Sequence, residues 1–181
     1  MRAGGRGGQG LSMKFKETSI SESFSVCAAE AFIVHSPDDL PTYFDYKDHS
    51  TMNFGAFTEV LITPQMIESD DDLRNVPFTV RQCYFEHEFE LKYFNTYTRQ
   101  NCLSECISDH VQLHLDCVPF HFIREFWTDI CPRSLVLMAS GIVQGTINNG
   151  TCDFCLPTCN QISYKFETRI IRIDGDFDAN L

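Results

Sequence analysis

Asn101-Cys102-Leu103-Ser104-Glu105-Cys106-Ile107 and Cys152-Asp153-Phe154-Cys155-Leu156-Pro157-Thr158-Cys159 decide how this chain is read. Both lie within Tyr97 to Cys159, which holds seven of the nine cysteines in three groups. Cys117 and Cys131 make the middle group, and Cys83 sits just upstream. Such clustering serves disulfide stapling in an oxidising compartment or metal binding. Cys102 and Cys106 stand at i and i+4, so on a helix both thiols point to one face, a turn apart. Leu103, Ile107 and Val111 form an adjacent apolar stripe. A helix of this design can be tied at two levels to a neighbour. The run from Cys152 to Cys159 suits that neighbour, because Pro157 bars a regular helix interior and leaves it extended or turning. Reading outward suggests a nested ladder of staples, yet eight cysteines allow on the order of a hundred connectivities, and spacing does not choose among them. Zinc is the competing reading. Cys152 and Cys155 have CxxC spacing and His110, His114 and His121 are near in sequence, but Cys102 and Cys106 are CxxxC, where a zinc site usually closes two tighter pairs on one ion.

Composition bounds the rest. A chain of 181 residues is one domain or part of a larger one. Its apolar fraction of 43% supports a packed core, and sixteen phenylalanines point to a β-rich, aromatic interior. The net charge of −11 speaks against a nucleic-acid partner, and an acidic surface gathers cations. The longest apolar run, Ser134 to Val143, is about half of the roughly 20 residues a bilayer span needs. The basic, glycine-rich start, Met1-Arg2-Ala3-Gly4-Gly5-Arg6, lacks the apolar centre of a secretory signal. The chain is therefore read as a piece of something longer.

Along the chain, residues 1–9 read as a disordered lead. Leu11, Met13 and Phe15 alternate with Ser12 and Lys14 as in a half-buried strand. Cys27 is the odd cysteine and reads as a buried thiol. Pro37 and Pro41, with Asp38 and Asp39 between them, break regular structure, and His35 reads as a cap at a strand end. Phe57 to Pro64 reads as a strand, and Gln65 to Arg74, with Asp70-Asp71-Asp72, as a solvated turn without calcium-loop spacing. Val80 to Phe94 reads as a strand leading into a helix from Thr98 to about Leu113. A second, short helix is expected from Pro132 to about Ser140, with proline acceptable in its first turn. Asn149-Gly150-Thr151 is a glycosylation sequon in a polar turn. Ile162 to Ile170 alternates as a strand.

Arg81-Gln82-Cys83-Tyr84-Phe85-Glu86, then Tyr97-Thr98-Arg99-Gln100-Asn101-Cys102-Leu103-Ser104-Glu105-Cys106, then Cys117-Val118-Pro119-Phe120, then Cys155-Leu156-Pro157-Thr158-Cys159 with Tyr164, together closely resemble the degenerin/epithelial sodium channel family, and most of all its insect pickpocket branch. Their order and spacing make the resemblance specific, and it covers roughly Gly10 to Arg169. The family's pairing, carried onto the matching cysteines, would join Cys83 with Cys159, Cys102 with Cys155, Cys106 with Cys152, and Cys117 with Cys131. Two departures stand out. The family usually writes Cys-x-Cys where this chain has Leu115-Asp116-Cys117, and the partner of that first cysteine, near Ala139, is missing too. One staple, about 2–4 kcal/mol, is thereby absent without stranding a thiol. Cys152 and Cys155 are also separated by two residues where the family usually has one.

The resemblance implies an α+β fold: an antiparallel β palm sheet with a disulfide-braced helical thumb. Residues 10–96 would form the palm and β-ball part of an ectodomain, residues 97–159 the thumb, and residues 160–181 a returning palm strand and truncated tail. It implies a subunit fragment of a trimeric, amiloride-sensitive sodium channel, gated by a ligand or by force. Its partners would be other subunits of a homo- or hetero-trimer and, in the intact channel, sodium ions. The place would be the extracellular side of the plasma membrane, with Asn149 glycosylated. Neither cofactor nor metal is implied. The residues themselves give no catalytic constellation: there is no phosphate-binding glycine loop, no HExxH and no nucleophile elbow. A secreted, disulfide-rich binding module is the alternative.

Overall fold

The computed structural model describes residues 29–41, 49–53 and 56–172. The strand expected around Leu11 to Phe15 and the odd Cys27 lie outside them. The described residues form an α+β arrangement of two separate antiparallel strand pairs and a two-helix unit, carrying four disulfides.

The first pair joins β1 (Ala29–Ile33) to β2 (His49–Asn53), in register from Ala29 opposite Asn53 to Ile33 opposite His49. After β1 the chain turns at Ser36 to Asp39, where the Asp39 N–H donates to the Ser36 carbonyl at 3.1 Å. His35 stands exposed at the strand end, its Nδ1 2.7 Å from the Ser36 carbonyl.

The second pair is longer. β3 (Ala56–Ile67) runs antiparallel to β4 (Gln161–Arg172) over twelve residues each, from Ala56 opposite Arg172 to Ile67 opposite Gln161. Since residues two apart share a face, Val60, Ile62, Pro64 and Met66 stand with Ile162, Tyr164, Phe166 and Ile170 on one side. The other side carries Glu59 opposite Arg169, Thr63 opposite Lys165 and Gln65 opposite Ser163. The alternation read in residues 162–170 is this division. Pro64 is tolerated within β3 because, among the described residues, each strand has a partner on one side only. Ile62, Met66, Ile162 and Ile170 stay exposed, as two strands cannot bury a face on their own.

β3 also outruns its expected end at Pro64. The ladder continues through Gln65, Met66 and Ile67, so the turn expected from Gln65 begins later, as a 3-10 turn over Asp71–Asn75. Asp70 caps that turn by accepting the Asp72 N–H at 3.0 Å, which accounts for the aspartate run.

The strand expected over Val80 to Phe94 is not formed. Instead a single helical turn, α1 (Phe78–Arg81), ends at Gln82 in the left-handed conformation, φ 58°. A loop follows with one isolated bridge, Tyr84 to Thr158. The neighbours Tyr84 and Phe85 are both buried, which a one-faced strand does not allow, and His87 takes another positive φ, 67°. Aromatic content had the look of a strand, but these rings pack into a core instead of alternating across a sheet.

α2 (Arg99–Leu115) starts at Thr98, whose hydroxyl accepts the Asn101 N–H at 3.1 Å. It stops at Asp116, φ 54°. Pro132 opens a 3-10 turn, Arg133–Leu135, that leads directly into α3 (Val136–Asn148). α3 thus runs well past the expected end near Ser140. Gly141 and Gly145 weaken a helix by about 1 kcal/mol each, but Ala139, Val143 and Thr146 repeat on one buried face and hold it together. That face meets Ile107 and Val111 of α2 in a core shared with Tyr84, Tyr97 and Cys102.

Ile107 is 1% exposed and Leu113, on the same helix, 76%. Ile107→Ala should destabilise the oxidised protein by about 2–5 kcal/mol, and Leu113→Ala by no more than about 0.5 kcal/mol. Urea titration followed by circular dichroism checks both; equal losses would place the core elsewhere.

Candidate functional site: a stapled helical arm

α2 and the segment that follows α3 form an arm fastened at two levels. Cys102 is bonded to Cys155 and Cys106 to Cys152, with Cα separations of 5.6 and 6.0 Å. The two bonds leave α2 one turn apart and reach a segment that turns at residues 151–154 and is irregular through Pro157. Cys152 and Cys155, the CxxC pair, are therefore each committed to the helix. Arg99 adds a polar tie, its Nε donating to the Cys155 carbonyl at 3.1 Å.

Each end of the arm has its own bond, Cys83 to Cys159 at the base and Cys117 to Cys131 at the tip, with Cα separations of 5.0 and 4.9 Å. A backbone detail repeats at both. The Tyr84 N–H donates to the Pro157 carbonyl, and the Tyr84 carbonyl accepts from the Cys159 N–H, both at 2.9 Å. At the tip, Val118 stands in the same relation to Asp129 and Cys131, at 3.0 and 2.8 Å. The residue after the first cysteine thus makes a parallel bridge to the strand of the second, so covalent and hydrogen bonds act together. At the base, Asn160 Oδ1 also accepts from both the N–H and the hydroxyl of Ser69, at 2.8 Å each, joining the end of β3 to the start of β4.

α2 holds loops as well. Asn101 is 0% exposed. Its Oδ1 accepts the Leu40 N–H and its Nδ2 donates to the Asp38 carbonyl, both at 2.8 Å. One amide thereby grips the turn after β1 in the way a peptide would. One helical turn on, the buried carboxylate of Glu105 accepts the N–H groups of Lys92 and Tyr93 at 2.9 and 2.6 Å. Ser108 then donates to the Ile123 carbonyl. Sequence reading had no access to these contacts. Asn101 and Glu105 look like ordinary helix-surface residues until their distant partners are known.

The sequence model of the amiloride-sensitive sodium channel family matches residues 2–180. This chain belongs to the amiloride-sensitive sodium channel family. It is similar to Pickpocket protein 28 of Drosophila melanogaster, 25% identical over 96% of this chain and 30% of that protein. Pickpocket protein 11 of the same fly is 28% identical over 64% of the chain and 23% of its own length. Sodium channel protein Nach of Drosophila virilis is 26% identical over 64% of the chain and 29% of its own length. The chain spans less than a third of these curated relatives.

In this member of the sodium channel family, the arm's electrostatics reinforce its packing. Tyr84, Phe89, Tyr97 and Phe154 form an aromatic knot beside the staples, with ring centroids 5.1–6.0 Å apart. Burial, helped by Tyr84, pushes the Tyr97 phenol above its ordinary range, so it stays protonated and donates to the Leu156 carbonyl at 2.6 Å. Arg81 lies under Phe85 and pairs with Glu88, which also accepts the Phe85 N–H at 2.7 Å. Burial draws the Glu88 pKa upward, but the Phe85 N–H and the Arg81 guanidinium outweigh it and hold the carboxyl below its ordinary 4.5. At the tip the situation reverses: Phe126 and Trp127 are 96% and 77% exposed. Asn149 is exposed at the end of α3, and Gly150 behind it has φ +68°, where a Cβ would come within 2.5 Å of Asp153.

Asn101→Ala would deprive the half-buried Leu40 N–H and the Asp38 carbonyl of their partner, at about 1 kcal/mol. Hydrogen exchange should show the Leu40 amide losing protection while amides in α3 keep theirs; an unchanged Leu40 rate would refute the latch. Glu88 gives a pH test. Its folded pKa is depressed, so its contribution is full above the unfolded value and is lost as pH falls through the folded value. Glu88→Gln should therefore flatten the fall of the urea midpoint below about pH 5 and bring wild type and variant together in strong acid.

Proposed function

We propose that this chain is part of the extracellular domain of a sodium channel subunit, the part that passes an outside stimulus toward membrane-spanning helices. The family match over residues 2–180 carries the reading. In it, residues 97–159 are the thumb, residues 10–96 belong to the palm and β-ball, and residues 160–181 are the returning palm strand with its tail. The intact channel is a homo- or hetero-trimer in the plasma membrane. It is blocked by amiloride, moves sodium ions, is gated by a ligand or by force, and presents this part on the extracellular side with Asn149 glycosylated. In this reading the intact channel conducts ions and this chain is one of its parts, not an enzyme.

The mechanical argument rests on the staples. Two bonds leaving α2 a turn apart resist both rotation and sliding of the helix against residues 152–159. A displacement of the arm is then passed to its base, where Cys159 leads into β4 and Asn160 clasps Ser69. Among the described residues no helix is long and apolar enough to cross a membrane. The reading accordingly holds that this stretch alone carries no current.

Three measurements test this together. Non-reducing mass spectrometry of secreted material should show a mass about eight units below the reduced chain, two hydrogens per bridge. Cells expressing the chain alone should give no amiloride-blocked sodium current. When residues 2–180 replace the matching segment of Pickpocket protein 28, current should persist, and the double change Cys102→Ser, Cys155→Ser should reduce it at unchanged surface level. A current from the chain alone, or full stimulus response without that bridge, would overturn the corresponding part of the reading.

A further inference from the structure

Six histidines are present in the chain, and two of them meet on α2. His110 and His114 are one turn apart, with ring centroids 4.5 Å from each other and the rings tilted by 44°. His114 is exposed and His110 half-buried, so the pair opens to solvent. Nδ1 of His114 lies 3.1 Å from the carbonyl of His110. A carbonyl can only accept, so Nδ1 is the donor here, and in the neutral ring Nε2 is the nitrogen left to bind a metal. An N–H held by a backbone carbonyl is also the arrangement that fixes tautomer and ring direction in metal-binding histidines.

We propose that His110 and His114 form a two-histidine surface site for a borderline transition-metal dication, Zn²⁺, Ni²⁺ or Cu²⁺. The i, i+4 spacing puts both rings over one patch of the helix. The helix is fixed from Thr98 to Asp116 by its caps and staples, so the ligands differ from a bound arrangement only by side-chain rotation. Among the described residues no three His, Cys, Asp or Glu side chains converge to hold an ion, so water completes the coordination. Asp109, next to His110 in sequence, lies 3.9 Å from the Lys92 ammonium. Imidazole nitrogens suit these three metals, while Ca²⁺ and Mg²⁺ demand oxygen ligands and do not bind here. Among the three, Cu²⁺ binds most tightly. The site is independent of the channel reading, since it requires only the folded helix.

The test uses the full oxidised chain, titrated calorimetrically with ZnCl₂ and NiCl₂, and with CuCl₂ followed by electron paramagnetic resonance. One ion per chain is expected, with coupling to two imidazole nitrogens. Loss of a supporting second-shell group alone weakens metal sites by about 10- to 100-fold, so His110→Ala and His114→Ala should each weaken binding at least tenfold. The copper spectrum should then show one nitrogen, while His87→Ala and His121→Ala leave affinity unchanged. Neither ring is fully buried, and the fold of each variant is verified by near-ultraviolet circular dichroism. Absence of binding to the wild-type chain overturns the proposal. So does equal binding by the doubly substituted chain, which would place the ion elsewhere.

Discussion

Two covalent bonds spaced by one helical turn are the constraint on which this structure depends. One disulfide between α2 and the segment after α3 would be a hinge. Two of them, at Cys102 and Cys106, fix both the rotation and the axial position of the helix. Once α2 cannot turn, its remaining faces become addresses. The Asn101 and Glu105 side chains can each hold a loop distant in sequence only because they project at a fixed angle. Ile107 and Val111 can meet Ala139 and Val143 for the same reason.

The bonds also account for a core that is small for its job. Tyr84, Tyr97 and the helix-facing residues pack around sulfur atoms, so cysteine contributes buried surface as well as cross-links. Closing long loops restricts the unfolded chain more than closing short ones in the chain-entropy account of disulfides. By that account Cys83 to Cys159, separated by 76 residues, constrains more than Cys117 to Cys131, separated by 14. The base of the arm is thus where covalent restraint of the unfolded chain is greatest, and there the arm joins the long strand pair.

Some of this was legible in the residues and some was not. α2 could be read because Cys102 and Cys106 and the stripe of Leu103, Ile107 and Val111 keep helical spacing over several turns. β4 could be read because alternation runs unbroken from Ile162 to Ile170. The ends were harder. β3 passes through Pro64, and α3 through two glycines, because tertiary pairing outweighs local preference. The stretch from Val80 to Phe94 misled most, since aromatic and charged residues mimic a strand there. Its true shape is set by Glu88 and Glu105, whose carboxylates capture amides of the loop. Which cysteine meets which came with family resemblance and was not decided by spacing.

The tip loop is closed by Cys117 and Cys131 and by its own Val118 bridge, and it is tied to the arm through Ile123, Phe122 and Glu125. Phe120, Phe126 and Trp127 of this loop point outward and contribute almost nothing to the interior. A ring closed in this way is free to diversify at those three positions: lineages can rewrite these exposed letters without disturbing the scaffold beneath. Variation among related sequences should therefore accumulate there first, leaving the base of the arm nearly unaltered.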